Sequence, residues 1–101
     1  MPKLFEYFGL VVFFYANEHE PVHVHGNYQG REAKAELVLR NGKVVRVRFS
    51  NVAGRPPLRG PKLKDFKRLV EIKADDIVNR WIDYFVKKKH SEPEVITGKL
   101  K

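Results

Sequence analysis

Glu32-Ala33-Lys34-Ala35-Glu36-Leu37-Val38-Leu39-Arg40, then Asn41-Gly42, then Lys43-Val44-Val45-Arg46-Val47-Arg48-Phe49: this run decides the fold. Ala33, Ala35, Leu37 and Leu39 fall on one side of an extended chain, and Glu32, Lys34, Glu36 and Arg40 on the other. That is the period-two alternation of a half-buried strand. Asn-Gly is the strongest short hairpin signal, because both central residues of a type I′ turn take positive φ. The return strand is predicted with Val45, Val47 and Phe49 inward and Arg46 and Arg48 outward.

Upstream, Val22 to Tyr28 alternates in the same way, with Val22 and Val24 on one face and His23 and His25 on the other. Leu4 to Tyr15 is apolar at nearly every position and rich in Val and Phe, which reads as a strand, or as two strand pieces bent at Gly9. The stretch Asn17 to Pro21 is predicted to turn. Downstream, Ser50 to Gly60 holds Gly54, Pro56, Pro57 and Gly60 with Arg55 and Arg59, the composition of a mobile, basic loop. Pro61 suits a first helical turn, where its missing N–H is not needed.

From there the period becomes helical. Leu63, Phe66, Leu69 and Val70 form one apolar stripe, and Ile77, Val78, Trp81, Ile82, Phe85 and Val86 a second. A break near Lys73 and Ala74, with Asp75 and Asp76 opening a new helix, competes with one continuous bent helix. Lys87, Lys88 and Lys89 are predicted to close the last helix, where positive charge is favoured. The expected architecture is one two-layer α+β domain. Residues 1–49 form an antiparallel meander of about four strands, 50–60 the basic loop, 61–90 two helices, and 91–101 a tail with room for a short strand at Val95 and Ile96.

The chain has 101 residues, enough for one domain. Its 43% hydrophobic and 32% charged shares fit a globular protein rather than disorder. It has no cysteine, which excludes disulfides and thiolate metal sites. Lys and Arg number 20 against 12 acids, a formal charge of +8, which favours nucleic acid, an acidic partner protein or an anionic surface. The apolar run Leu10 to Ala16 is too short to span a membrane and lacks the flanks of a secretion signal, so the expected location is cytoplasmic, without membrane association.

Three of the four histidines, His19, His23 and His25, fall within the run Asn17-Glu18-His19-Glu20-Pro21-Val22-His23-Val24-His25. Residues two apart on a strand share a face about 6.5–7 Å apart, so His23 and His25 can reach one point, and His19 can fold over it from the turn. Three chemistries fit. His19, His23 and His25 supply three nitrogen ligands for a catalytic zinc, with an oxygen from Glu18 or Glu20. Alternatively His23 and His25, with His19, trade a proton at a phosphate, steadied by Lys34, Arg46 and Arg48. Or the imidazoles serve as structural hydrogen-bonding anchors. No cofactor is required by the second and third.

The remaining cations extend the candidate phosphate-binding set to Arg55 and Arg59, followed by Lys62, Lys64, Lys67 and Arg68. No helix-turn-helix, zinc-finger or RNA-recognition signature accompanies them, so sequence-specific base reading is not expected. Trp81 sits within the second apolar stripe and reads as core. Tyr28 is a more plausible exposed aromatic.

Several of these segments together resemble a known family. Phe13-Phe14-Tyr15, the histidine run above, Gly30 with Glu32-Ala33, and Ile77-Val78-Asn79-Arg80-Trp81 are similar to the bacterial family catalogued as domain of unknown function 4160. The resemblance covers nearly the whole chain, and its most specific part is the acidic-His-x-Pro-x-His-x-His run. The segment Arg40 to Gly60 departs from it, being longer than the short turn of many members. The resemblance implies a small toxin-like protein paired with a second small protein, and marks His19, His23 and His25 without assigning them a role. The expected function is therefore RNA binding, with or without cleavage by His23 and His25. The rivals are a non-enzymatic module for an acidic partner or nucleic acid, and a histidine-ligated metalloprotein.

Overall fold

The computed structural model describes residues 2–15, 22–88 and 92–100. Five strands come first: β1 (Lys3–Tyr7), β2 (Leu10–Phe13), β3 (His23–Tyr28), β4 (Arg31–Arg40) and β5 (Lys43–Asn51). Helices α1 (Gly60–Ile72) and α2 (Ala74–Phe85) follow, then a three-residue strand β6 (Glu94–Ile96). The sheet order is β5-β4-β3-β2-β1-β6, an antiparallel meander except that β6 runs parallel to β1. The class is α+β, with one more strand in the meander than expected because Leu4 to Tyr15 divides into β1 and β2.

Tight turns draw the meander. Each has two residues in the left-handed region: Phe8 and Gly9 at φ 46° and 89°, Gln29 and Gly30 at 50° and 82°, Asn41 and Gly42 at 52° and 78°. These are the paired positive φ angles whose twist matches that of the flanking strands. The alternation in β3 and β4 then sends Val24, Gly26, Ala33, Ala35 and Leu37 to the face that the helices cover. In β5 the pattern slips once. Val38 pairs with Arg46 but Leu39 pairs with Val44, so one extra β5 residue is inserted between them. Val45 is that residue and is 59% exposed, while Val44 takes the inward place expected for it. Two adjacent valines carry no alternation to say which points in; the bulge decides.

On the helix side, Phe66, Leu69 and Val70 of α1 and Ile77, Val78, Trp81 and Phe85 of α2 are buried against Phe5, Leu10, Val12, Phe14, Val24, Ala35 and Leu37. Lys73 separates the helices: its N–H donates to Leu69 O (2.9 Å) and its carbonyl accepts from Ile77 N–H (2.8 Å). It ends one helix and begins the other, and Asp75 and Asp76 lie in the first turn of α2, where negative charge is favoured. Helix α2 stops at Phe85, so Val86 is exposed, and Lys87 and Lys88 lie beyond the helix rather than closing it. Lys89 lies outside the described residues.

The segment between β5 and α1 is pinned, contrary to the mobility its composition suggested. Pro56 O accepts from Glu32 N–H (3.0 Å), Pro57 O from Arg31 Nη1 (3.2 Å), and Leu58 is buried. At the opposite edge Arg80 of α2 joins its helix to β1 and to the segment of β6. It meets Asp76 (3.3 Å), Leu4 O (3.3 Å), Glu92 O (3.1 Å) and Glu94 (3.7 Å), with its guanidinium carbon 5.0 Å from the Phe5 ring centre. It thereby fastens β6 beside β1.

Helix α1 packs tightly on the sheet at Gly26 of β3. A Cβ there would lie 2.5 Å from Phe66 Cδ1 and 2.7 Å from Cε1. Phe66 is fully buried and has no free space to yield. Gly26→Ala is therefore expected to destabilise the protein by about 1–3 kcal/mol. In a Phe66→Leu background the penalty of the same substitution should shrink, as read by urea unfolding of the four members of the cycle. An unchanged penalty would separate the two sites energetically.

Candidate functional site

Because Val24 and Gly26 occupy the helix face of β3, His23, His25 and Asn27 point to the other, outer face of the sheet. The two imidazole centres are 5.3 Å apart, edge to face. So the expectation that they emerge together, away from the helices, agrees with their placement. Their exposure does not follow from it: His23 is 7% exposed and His25 3%. The outer face has a small buried cluster of its own, made by these rings with Phe13 (2%) and Glu32 (1%).

The hairpin register builds that cluster. The two-residue turn at Gln29-Gly30 pairs Tyr28 with Arg31 and Asn27 with Glu32, which puts Glu32 diagonally across from His25. On the other side of β3, Phe13 of β2 pairs with His25, and Tyr15 lies two residues further along. Phe13 stacks on the His25 ring (5.6 Å between centres), and Tyr15 meets it edge-on (4.5 Å).

Glu32 collects the polar contacts. Its Oε2 accepts the Tyr15 hydroxyl (3.0 Å) and its Oε1 accepts the Asn27 amide (3.2 Å). His25 Nδ1 lies 3.1 Å from Oε2, close in distance but off the line of an ideal hydrogen bond. Arg55, from the segment after β5, brings Nη1 to 3.9 Å from Oε1 while staying half exposed. A buried carboxylate is tolerable only with such partners. Here they come from the chain just after β2, from β3 and from the loop, and all converge on β4.

The cations divide. Lys34 pairs with His25 in register, and Glu36 pairs with both His23 and Arg48, so Lys34, Arg46 and Arg48 share the outer face with the histidines. Arg46 and Arg48 are exposed and Lys34 partly so. Arg55 joins them through Glu32. Arg59 does not: it precedes α1 as its N-terminal capping residue, on the helix layer. His19 lies outside the described residues, as do Glu18 and Glu20. Among the described residues no group of three His, Asp or Glu is arranged to hold a metal ion. None of the described helices is long and apolar enough to cross a membrane.

Glu32, Asn27, Tyr15 and Phe13 are the site residues that side-chain type alone did not single out. The signal that locates them is the Gln29-Gly30 turn, since a two-residue loop fixes every cross-strand pair that follows. Chemically, a carboxylate 3.1 Å from Nδ1 places a negative group beside the ring, which favours its taking up a proton. The two rings, packed against Phe13 and Tyr15, also form a buried cluster on the same face as the exposed cations. A family model described as "Domain of unknown function (DUF4160)" matches residues 9–82, which takes in most of the chain and the whole of β2 to β5. No curated protein and no solved structure matches.

Removing the shared acceptor tests the cluster. Glu32→Ala strips Tyr15, Asn27, His25 and Arg55 of their common partner and is expected to cost roughly 2–5 kcal/mol. Glu32→Gln keeps one accepting oxygen and should cost less. Denaturant midpoints with unchanged slopes would measure both, and equal, negligible losses would show that the cluster does not support the sheet.

Proposed function

The chain belongs to the DUF4160 family, whose description names no activity, and we propose that it is a small RNA-binding protein that grips phosphates with the outer face of its sheet. The observation carrying this reading is the placement of Lys34, Arg46, Arg48 and Arg55 on or beside the same face as the packed cluster of His23, His25 and Glu32. A net charge of +8 supplies the long-range attraction. The absence of a recognised base-reading motif in the sequence favours backbone contact over sequence recognition. In this reading the toxin-like role and the small partner protein implied by the family resemblance belong to the same proposal, with RNA in the cytoplasm as target and the partner as the element that covers or releases it.

The burial of both imidazoles supports binding over cleavage, because a phosphodiester must touch an acid and a base directly. One observation favours the cleaving version: the 3.1 Å approach of Glu32 to His25 Nδ1, which sets a carboxylate beside an imidazole. Incubating pure protein with RNA in metal-free buffer separates the two. Cleavage that is lost in a folded His23→Gln protein would establish the enzyme; intact RNA that remains bound supports the binding module.

The binding reading makes a quantitative prediction. Affinity for RNA should fall steeply with salt, with a slope of roughly 0.7 per phosphate contacted on a single strand. Arg46→Gln with Arg48→Gln should flatten that slope by about 1.4 if each guanidinium neutralises one phosphate. Since both residues are exposed, stability should change by no more than about 0.5 kcal/mol each. Fluorescence anisotropy over a salt series reads the slope, and an unchanged slope would remove these residues from the interface.

A further inference from the structure

Phe8 stands at the tip of the β1–β2 turn with φ 46°. A left-handed backbone disfavours bulky side chains and suits Asn or Gly. The equivalent position of the β4–β5 turn is Asn41, at φ 52°. Phe8 is also 61% exposed. A single exposed apolar side chain is ordinary; one held at an unfavourable backbone angle by surrounding structure marks a candidate functional position.

The supports are specific. Lys62 of α1 donates from Nζ to Phe8 O at 2.9 Å, and the same ammonium lies 4.7 Å from the Tyr28 ring centre and 6.0 Å from that of Tyr7. Tyr7 meets the Phe8 ring edge-on at 4.8 Å. Gly9 leaves room for Tyr28, since a Cβ there would come within 3.0 Å of Tyr28 Cε1. A cation, two tyrosines and a glycine thus fix the turn and present one phenyl face to solvent. Arg59, exposed, lies three residues before Lys62.

We infer that Phe8 is a stacking platform for an unpaired nucleobase of single-stranded RNA, with the flanking phosphate drawn to Lys62 and Arg59. The inference rests on the RNA-binding reading and adds to it a second subsite, at the end of the sheet rather than on its outer face. Charge complementarity selects this occupant: aromatic faces interleaved with cations match stacked bases and phosphates. A paired duplex offers no free base to the ring, so the subsite discriminates single strands from double strands.

The test uses the full chain, a fluorescein-labelled oligoadenylate and a fully paired RNA duplex. Phe8→Asn removes the ring and relieves the backbone, so the protein should melt no lower than the parent. Its affinity for oligoadenylate should fall roughly 5- to 150-fold, with duplex binding and the salt slope unchanged. Phe8→Trp should retain affinity, and its added emission should be quenched on titration with oligoadenylate. Equal oligoadenylate affinity of the parent and Phe8→Asn overturns the platform while leaving the RNA reading in place; no RNA binding by the parent overturns both. Loss by Phe8→Asn of binding to phosphatidylglycerol vesicles, with RNA affinity intact, would instead assign the ring to a lipid surface and overturn the proposal.

Discussion

One buried carboxylate holds the outer face of this sheet together. Glu32 is 1% exposed, and its two oxygens face a tyrosine hydroxyl, an asparagine amide, an imidazole and a guanidinium. None of these partners is on its own strand. The chain just beyond β2 must arrive with Tyr15, β3 with Asn27 and His25, and the loop after β5 with Arg55, before the charge is compensated. A one-residue slip in β3 would turn the imidazoles into the helix layer and the valines out, leaving Glu32 facing apolar side chains. The carboxylate therefore acts as a register lock, and the same residues that fix the register form the candidate site.

That coupling explains what the sequence could and could not disclose. The alternation of Ala33 to Leu37 and of Val22 to His25 located the inner and outer faces correctly, while Leu39, expected inward, is 38% exposed; the helical stripes located the second layer, because burial on one side imposes a period on residue type. The pairing of His23 with His25 was legible for the same reason. The depth of those rings was not. Composition classes a strand face bearing His, Glu and Lys as solvated, and only the hairpin register shows that Glu32, Phe13 and Tyr15 close around His25. Nor could residue type choose between Val44 and Val45, where a single inserted residue resets the alternation. Val86 followed the helical spacing but fell one residue beyond the end of the helix.

Two features of the surface then stand apart from the packing. The outer face carries guanidiniums beside the buried cluster, and the β1–β2 turn carries a phenyl ring edge-on to Tyr7, with Lys62 bonded to its carbonyl. The first offers charge without shape; the second offers a flat apolar surface with charge beside it. A flexible polyanion can use both, because a strand of unpaired nucleotides alternates the same two chemistries along its length.

The short strand β6 has a temporal consequence. Phe5, Glu6 and Tyr7 lie beside Glu94, Val95 and Ile96, partners separated by nearly the whole chain. Contacts so distant in sequence form late, after shorter loops have closed. During synthesis the free border of β1 is among the earliest parts of the sheet to emerge and the last to be covered, and Arg80 can complete its grip only when Glu92 and Glu94 arrive. Until then β1 presents an unpaired strand edge, on which another extended chain can add.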